Sequence, residues 1–274
     1  MNRLSNAWRL SKSSWQVLSQ DRELIAIPVI AGIAAVLAFL VAAAPGLVLL
    51  GASGDSNSGN WAVYIFLFLG AVAASWMAAL GQAAVVAGAA ERMDGGNPSI
   101  GSAFAAARAR AGRILEWAVL ATVVSVILDQ IEERLGVLGR VISWLGNVAF
   151  AVMSFLALPV IVFENVGAID AFKRSSQLLR KTWGEQVGFS FGMGLLGFLL
   201  VLPAFAVGGL MAATGVLALQ IVGVAAAVIW IGLVMAVTSA LSAVFKAALY
   251  RYAVGANVDP VFAPADLSGA FQRR

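Results

Sequence analysis

Five long stretches of this 274-residue chain carry no charge: 24–54, 56–90, 117–128, 141–163 and 186–245. A helix needs roughly 20 apolar residues to cross the hydrocarbon core of a bilayer, and the last stretch is long enough for two. Barrel strands alternate in polarity and these runs do not; in lipid only helices and closed barrels satisfy their own backbone polar groups. The chain is therefore expected to be all-α, a polytopic membrane helical bundle. Its six spans are placed at about 24–50, 61–90, 114–131, 141–163, 187–210 and 216–246. Only 12% of residues are charged, against ~25% in an average soluble domain. That leaves too little polar sequence to solvate so much apolar sequence.

The cations are divided unevenly between the segments that join the spans. Sixteen of the 18 Lys and Arg lie before span 1, between spans 2 and 3, between spans 4 and 5, or at and after the end of span 6. Only Arg134 and Arg140 lie on the opposite side, between spans 3 and 4. Lys and Arg are retained on the cytoplasmic side of short loops, so both termini are expected in the cytoplasm of a bacterial cell, with the bundle in its cytoplasmic membrane. Residues 1–23 are polar and amphipathic rather than signal-like, so span 1 is expected to act as an uncleaved signal anchor.

Histidine and cysteine are both absent. That removes the commonest general base and metal ligand, and every thiol nucleophile, thiolate metal site and disulfide. No cofactor and no metal site are implied, and no catalytic residue is assigned. The net charge of +4 sits beside spans, which points to anionic lipid headgroups rather than nucleic acid as the partner.

A repeated element precedes each pair of spans. AWRLSKSSWQVL starts at Ala7, AFAAARARAGRIL at Ala103 and AFKRSSQLLRKTW at Ala171, and GAFQRR from Gly269 is a shorter fourth echo. Leu4, Trp8, Ser11, Trp15 and Leu18 share one helical face, as do Ile169, Phe172, Ser176, Leu179 and Trp183. A basic helix with one aromatic face can lie in the membrane interface or pack on the ends of the spans. On the interfacial reading Trp8, Trp15, Phe172 and Trp183 enter the lipid, while Arg9, Lys12, Lys173 and Lys181 meet headgroup phosphates. The expected unit is an interfacial helix followed by a hairpin of two spans, in units of about 1–92, 93–164 and 165–251 with a tail at 252–274. The whole chain is then one integral membrane domain. Ser99, after the turn Asp94-Gly95-Gly96-Asn97-Pro98, is placed to cap the second of these helices.

Within the spans polar residues are few. Gln82, Glu116, Asn147 and Gln220 form the candidate intramembrane polar site, since a polar group in hydrocarbon is costly and commonly functional. Glu116 also stands three residues after Arg113, the spacing of an ion pair on a helix. Glu91 and Glu164 end spans 2 and 4 at matching positions, suited to salt bridges. Asp129, Glu132 and Glu133 read as a solvated face. Gly192-Met193-Gly194-Leu195-Leu196-Gly197 matches the dinucleotide-binding GxGxxG string, but it lies inside a span. There, with Gly188, it serves close helix packing.

Three strings, SSWQVLSQDRELIAIPVIAG, AFKRSSQLLRKTWGEQVG and ALYRYAVGANVDPVFAPADLSGAF, resemble those of an uncharacterised family of prokaryotic six-span membrane proteins. More distantly they are similar to the membrane domain attached to some glycerophosphodiester phosphodiesterases. The resemblance implies six spans and supplies no activity. The phosphodiesterase catalytic domain is not seen in this sequence, so its reaction is not carried over. Two functions are expected from these readings. One is a non-enzymatic membrane protein that organises membrane or associates with lipid or a protein partner. The alternative is a small transporter or permease with a polar site between the hairpins.

Overall fold

A computed structural model describes residues 23–53, 61–181 and 186–256, with only the helix path given for 52–53, 180–181, 186–196 and 212. Among the described residues there are eight helices and no strand. They are α1 (Glu23–Ser53), α2 (Trp61–Met93), α3 (Ile100–Arg108), α4 (Ala111–Met153), α5 (Ala157–Glu164), α6 (Ala168–Lys181), α7 (Gln186–Ala213) and α8 (Leu217–Ala253). Among the described residues four segments are long and apolar enough to cross a membrane: Glu23–Gly51, Trp61–Met93, Ala111–Glu164 and Leu217–Ala253. Gly197–Met211, within α7, is a shorter apolar helix.

α1 and α2 run antiparallel along their whole described length. Near one end Leu24 meets Gly88; near the other Gly46 meets Phe66 and Val63. Midway a Cβ on Gly81 would overlap that of Ala31. Small residues at this seam let the two backbones approach, which is how helices gain packing energy when no solvent drives them together.

α4 reverses direction. Gly136 has φ 55° and ψ −124°, a conformation a residue with a Cβ resists. On either side of it the two arms touch: Arg140 Nε lies 3.4 Å from Glu132 Oε1, and a Cβ on Gly146 would lie 2.6 Å from Leu128 Cδ2. In a straight helix the last pair would be roughly 27 Å apart at 1.5 Å per residue. The second arm does not run uninterrupted to Glu164, as span 4 had been expected to. It ends at Met153 and resumes as α5. Pro159 is the local cause, because its ring clashes with the carbonyl four residues earlier, that of Phe155. The Leu156 amide, freed at the break, donates to the buried Ser175 Oγ of α6 at 3.0 Å.

α7 and α8 also run antiparallel, joined at Gly215 (φ 69°). Gly208 meets Ala227 and Gly223 meets Met211. Pro203 cannot donate within α7. One turn away the Trp230 indole of α8 donates to the Leu200 carbonyl at 2.7 Å.

The buried core gathers at one end of the bundle. It comprises Leu24 and Ile27 of α1, 83–86 and Ala89 of α2, Ala103 and Ala107 of α3, Ile114 and Trp117 of α4, most of α5, the inner face of α6 and the Ala-rich stretch 240–250 of α8. Toward the other end the helices present large apolar side chains outward. Examples are Val36, Leu40 and Val41 on α1, Val137 and Trp144 on α4, Phe205 and Leu210 on α7, and Ile221 and Ile229 on α8. Soluble monomers rarely expose contiguous apolar patches beyond ~300–600 Å². Faces such as these are at home against lipid.

Candidate functional site

The densest set of polar contacts lies at the core-rich end, where the short helices α3 and α6 cross the long ones. α3 begins with a complete capping box: Ser99 Oγ accepts from the Ser102 amide and Ser102 Oγ accepts from the Ser99 amide, both at 3.0 Å. Ser99 therefore caps as its sequence context predicts. The next amide, Ile100 N, donates to Glu23 Oε2 of α1 at 3.1 Å. α6 repeats this device without a serine: Ala168 N donates to Glu116 Oε2 of α4 at 3.3 Å. Ile100 and Ala168 each stand four residues before the aromatic of their Ala-Phe pair, Phe104 and Phe172. The alanine of each pair, Ala103 or Ala171, is buried, and so is the residue four further on, Ala107 or Ser175. An acid at the start of one long helix thus satisfies the orphan amide of a short helix far along the chain, in the same register twice.

Other polar side chains complete the belt. Arg113 Nη1 donates to Glu116 Oε1 at 2.8 Å, the i, i+3 pair their spacing suggests. Glu91 Oε2 accepts from Ser102 Oγ at 3.1 Å. Glu164 Oε1 accepts from Arg174 Nε at 3.1 Å and from the Tyr250 hydroxyl at 2.9 Å. Arg251 donates to the Ala90 carbonyl at 3.2 Å and pairs with Asp94. Trp76 Nε1 donates to the Ala111 carbonyl at 3.0 Å, fixing the α3–α4 elbow against α2. Beneath the belt Trp117, Phe150 and Phe172 form a stack with centroids 5.9 and 5.7 Å apart. Lys246 Nζ lies 5.0 Å from the Phe155 ring centroid. Among the described residues no three His, Cys, Asp or Glu are grouped to hold a metal ion. Of the acids between 129 and 133, Glu132 is paired with Arg140, and Glu133 accepts from Gln130 at 3.2 Å.

The four candidate intramembrane polar residues are not brought together. Glu116 is at the core-rich end, beside Ala168. Gln220 is in the first turn of α8; Tyr250, bonded to Glu164 at the core-rich end, lies roughly 45 Å further along the same helix at 1.5 Å per residue. Gln82 is half-buried on α2, next to the Gly81 contact. Asn147 Nδ2 donates within its own arm, to the Ser143 carbonyl at 3.0 Å.

The lipid-interface candidates divide as follows. Trp8, Arg9, Lys12, Trp15 and Trp183 lie outside the described residues. Lys181 ends α6, with only its helix path described. Lys173 is exposed, 4.0 Å from Asp170. Phe172 is half-buried, with its ring on that of Phe150. The buried residues of α6 are Ala168, Ala171, Ser175, Leu178 and Leu179; Leu179 belongs to the expected stripe, whereas Ile169 faces outward. Packing against α4 and α5 centres the buried face between the expected stripe and the positions one residue before it. Trp117 is buried in the same stack. Sequence reading missed Glu23, Ser175, Tyr250 and Asp94. Of these only Glu23 carried a signal, as the last charge before span 1.

Residues 61–259 match the family of unknown function DUF6159. The chain belongs to that family. The match covers α2 through α8, and so includes the Glu116–Ala168 cap and the Tyr250–Glu164 bond. It agrees with the resemblance to an uncharacterised family that the sequence strings carry. No curated protein matches the chain.

Proposed function

We propose that this DUF6159 chain is a non-enzymatic, multi-pass protein of the bacterial cytoplasmic membrane that associates with anionic lipid, or with a protein partner, through its basic face. Its six spans are three hairpins: α1 with α2, the two arms around Gly136 with α5, and α7 with α8. Each hairpin follows a basic amphipathic segment at the cytoplasmic surface, and both termini are cytoplasmic.

The observation that carries this reading is the coincidence of three properties at one end of the bundle. The core-rich end is the end that collects the Lys and Arg. Its carboxylates Glu23, Glu91, Glu116 and Glu164 are engaged in ties between helices. Exposed cations such as Lys173, 4.0 Å from Asp170, face outward. Basic groups near an anionic leaflet gain ~1 kcal/mol each. The distance along the bundle between Glu116 and Gln220 weighs against the transport alternative, which needs the four polar residues around one cavity.

The test uses the full-length chain extracted from membranes containing phosphatidylglycerol. Native mass spectrometry then counts the lipid that stays bound. Replacing Arg9, Lys12, Lys173 and Lys181 by Gln is expected to lower the retained anionic lipid and leave phosphatidylcholine unchanged. Equal retention by the variant and the parent would overturn the reading of these helices.

A further inference from the structure

The corner between α3 and α4 carries Arg108, Arg110 and Arg113 within six residues. Only Arg113 is paired, with Glu116. Among the described residues neither Arg108 nor Arg110 has a carboxylate partner. Arg110 Nη1 reaches the Ala106 carbonyl at a long 3.4 Å, and its Nε is buried without any partner. A buried guanidinium donor left unsatisfied is uncommon and calls for an acceptor. Gly112, at the corner, is exposed, and a Cβ there would meet nothing within 4 Å. The approach to the two arginines from that side is open.

An apolar stripe starts where this basic corner ends. Leu115, Val119, Val123 and Val126 are all exposed and follow Gly112 at i+3, i+7, i+11 and i+14. That spacing keeps them on one face of the first arm of α4. The corner is also held still. The Trp76 indole bonds the Ala111 carbonyl, and Ala107 and Ile114 on either side are fully buried. Glu116, one turn on, is occupied by Arg113 and the Ala168 amide.

From this arrangement we propose that the α3–α4 corner is a discrete binding site for one anionic phospholipid. The phosphodiester sits between Arg108 and Arg110 over Gly112, and an acyl chain lies along Leu115, Val119, Val123 and Val126. Charge complementarity selects the occupant: guanidinium groups pair with phosphate oxygens at one end, and the aliphatic stripe suits hydrocarbon at the other. The site rests on the reading of a lipid-associated basic face and locates it at a place other than the amphipathic helices.

The test is native mass spectrometry of the full chain in mixed phosphatidylcholine–phosphatidylglycerol nanodiscs, with inorganic phosphate as a competitor. Arg108 is exposed, so Arg108→Gln leaves the packing in place. It is expected to lower retained phosphatidylglycerol about fivefold, the share of one basic group at an anionic surface. Leu115→Asn with Val119→Asn is expected to lower it as well, while millimolar phosphate displaces none. If Arg108→Gln and Arg110→Lys bind like the parent while the Arg9, Lys12, Lys173 and Lys181 variant loses lipid, the corner site is wrong and the basic-face reading stands. If the parent itself shows no preference for phosphatidylglycerol, both fall. Displacement by phosphate together with indifference to the stripe substitutions would make this a site for free phosphate and overturn the lipid assignment.

Discussion

The Tyr250 hydroxyl near the end of α8 and the Glu164 carboxylate at the end of α5 share a 2.9 Å hydrogen bond across 86 positions of sequence. The tyrosine ring also stacks on Phe163, with centroids 5.0 Å apart. One residue on, Arg251 holds the Ala90 carbonyl and Asp94 at the end of α2. Adjacent residues of α8 therefore tie the ends of two other helices together, so the core-rich end closes on itself.

Tyr250→Phe keeps the stack and removes the hydroxyl. A hydrogen bond to a charged group contributes ~1.5–3 kcal/mol, and the half-exposed carboxylate keeps Arg174, so a loss near the lower figure is expected. Thermal unfolding in detergent measures it. An unchanged midpoint would mean the bond contributes nothing in solution.

The two carboxylate caps act locally on separate helices. Glu116→Ala is expected to speed amide hydrogen exchange in the first turn of α6 and leave α3 alone, while Glu23→Ala should do the reverse. Losing a cap costs ~0.5–2 kcal/mol. Exchange rates that rise equally in both helices for either substitution would show general loosening instead.

The α1–α2 seam offers an internal control. Gly81→Ala places a methyl on the Ala31 Cβ, whereas Gly32→Ala on the partner helix meets nothing within 4 Å. The first is expected to destabilise by ~1–3 kcal/mol, the usual range for overpacking. The second should be neutral or stabilise by up to ~1 kcal/mol through helix propensity. Similar melting shifts for the two would contradict the close approach.

The cysteine-free background makes single-cysteine labelling clean. With six spans, Val137→Cys beside the Gly136 reversal and Thr214→Cys before α8 should react with an impermeant maleimide added outside intact cells. Gly95→Cys and Ala109→Cys should react only after lysis. A Val137 cysteine that stays unreactive on both sides would instead place that residue inside the bilayer.

Ser175→Ala leaves the Leu156 amide at the α4–α5 break without its acceptor. An unsatisfied buried donor costs ~1–3 kcal/mol. Ser175→Thr, which restores a hydroxyl, is expected to recover part of that loss in the same melting assay. If Ala and Thr melt alike, the hydroxyl does not hold the break.

What sequence alone determined here is whatever depends on neighbours along the chain. Apolar run length specified long helices, because a backbone in lipid must satisfy itself. Ser99 before Ile100 specified a cap, and Arg113 before Glu116 an ion pair, since both are complete within one turn. Tertiary structure decided the contacts that need two distant segments. It set the buried face of α6, where Ala171, Ser175, Leu178 and Leu179 are enclosed and Phe172 packs on Phe150. It assigned Glu23 to Ile100 and Glu116 to Ala168, pairs 77 and 52 positions apart. It also set Glu116 and Gln220 at opposite ends of the bundle, although both are polar residues in apolar runs. A single sequence records which side chains want partners; only the packed bundle settles which partners come within reach.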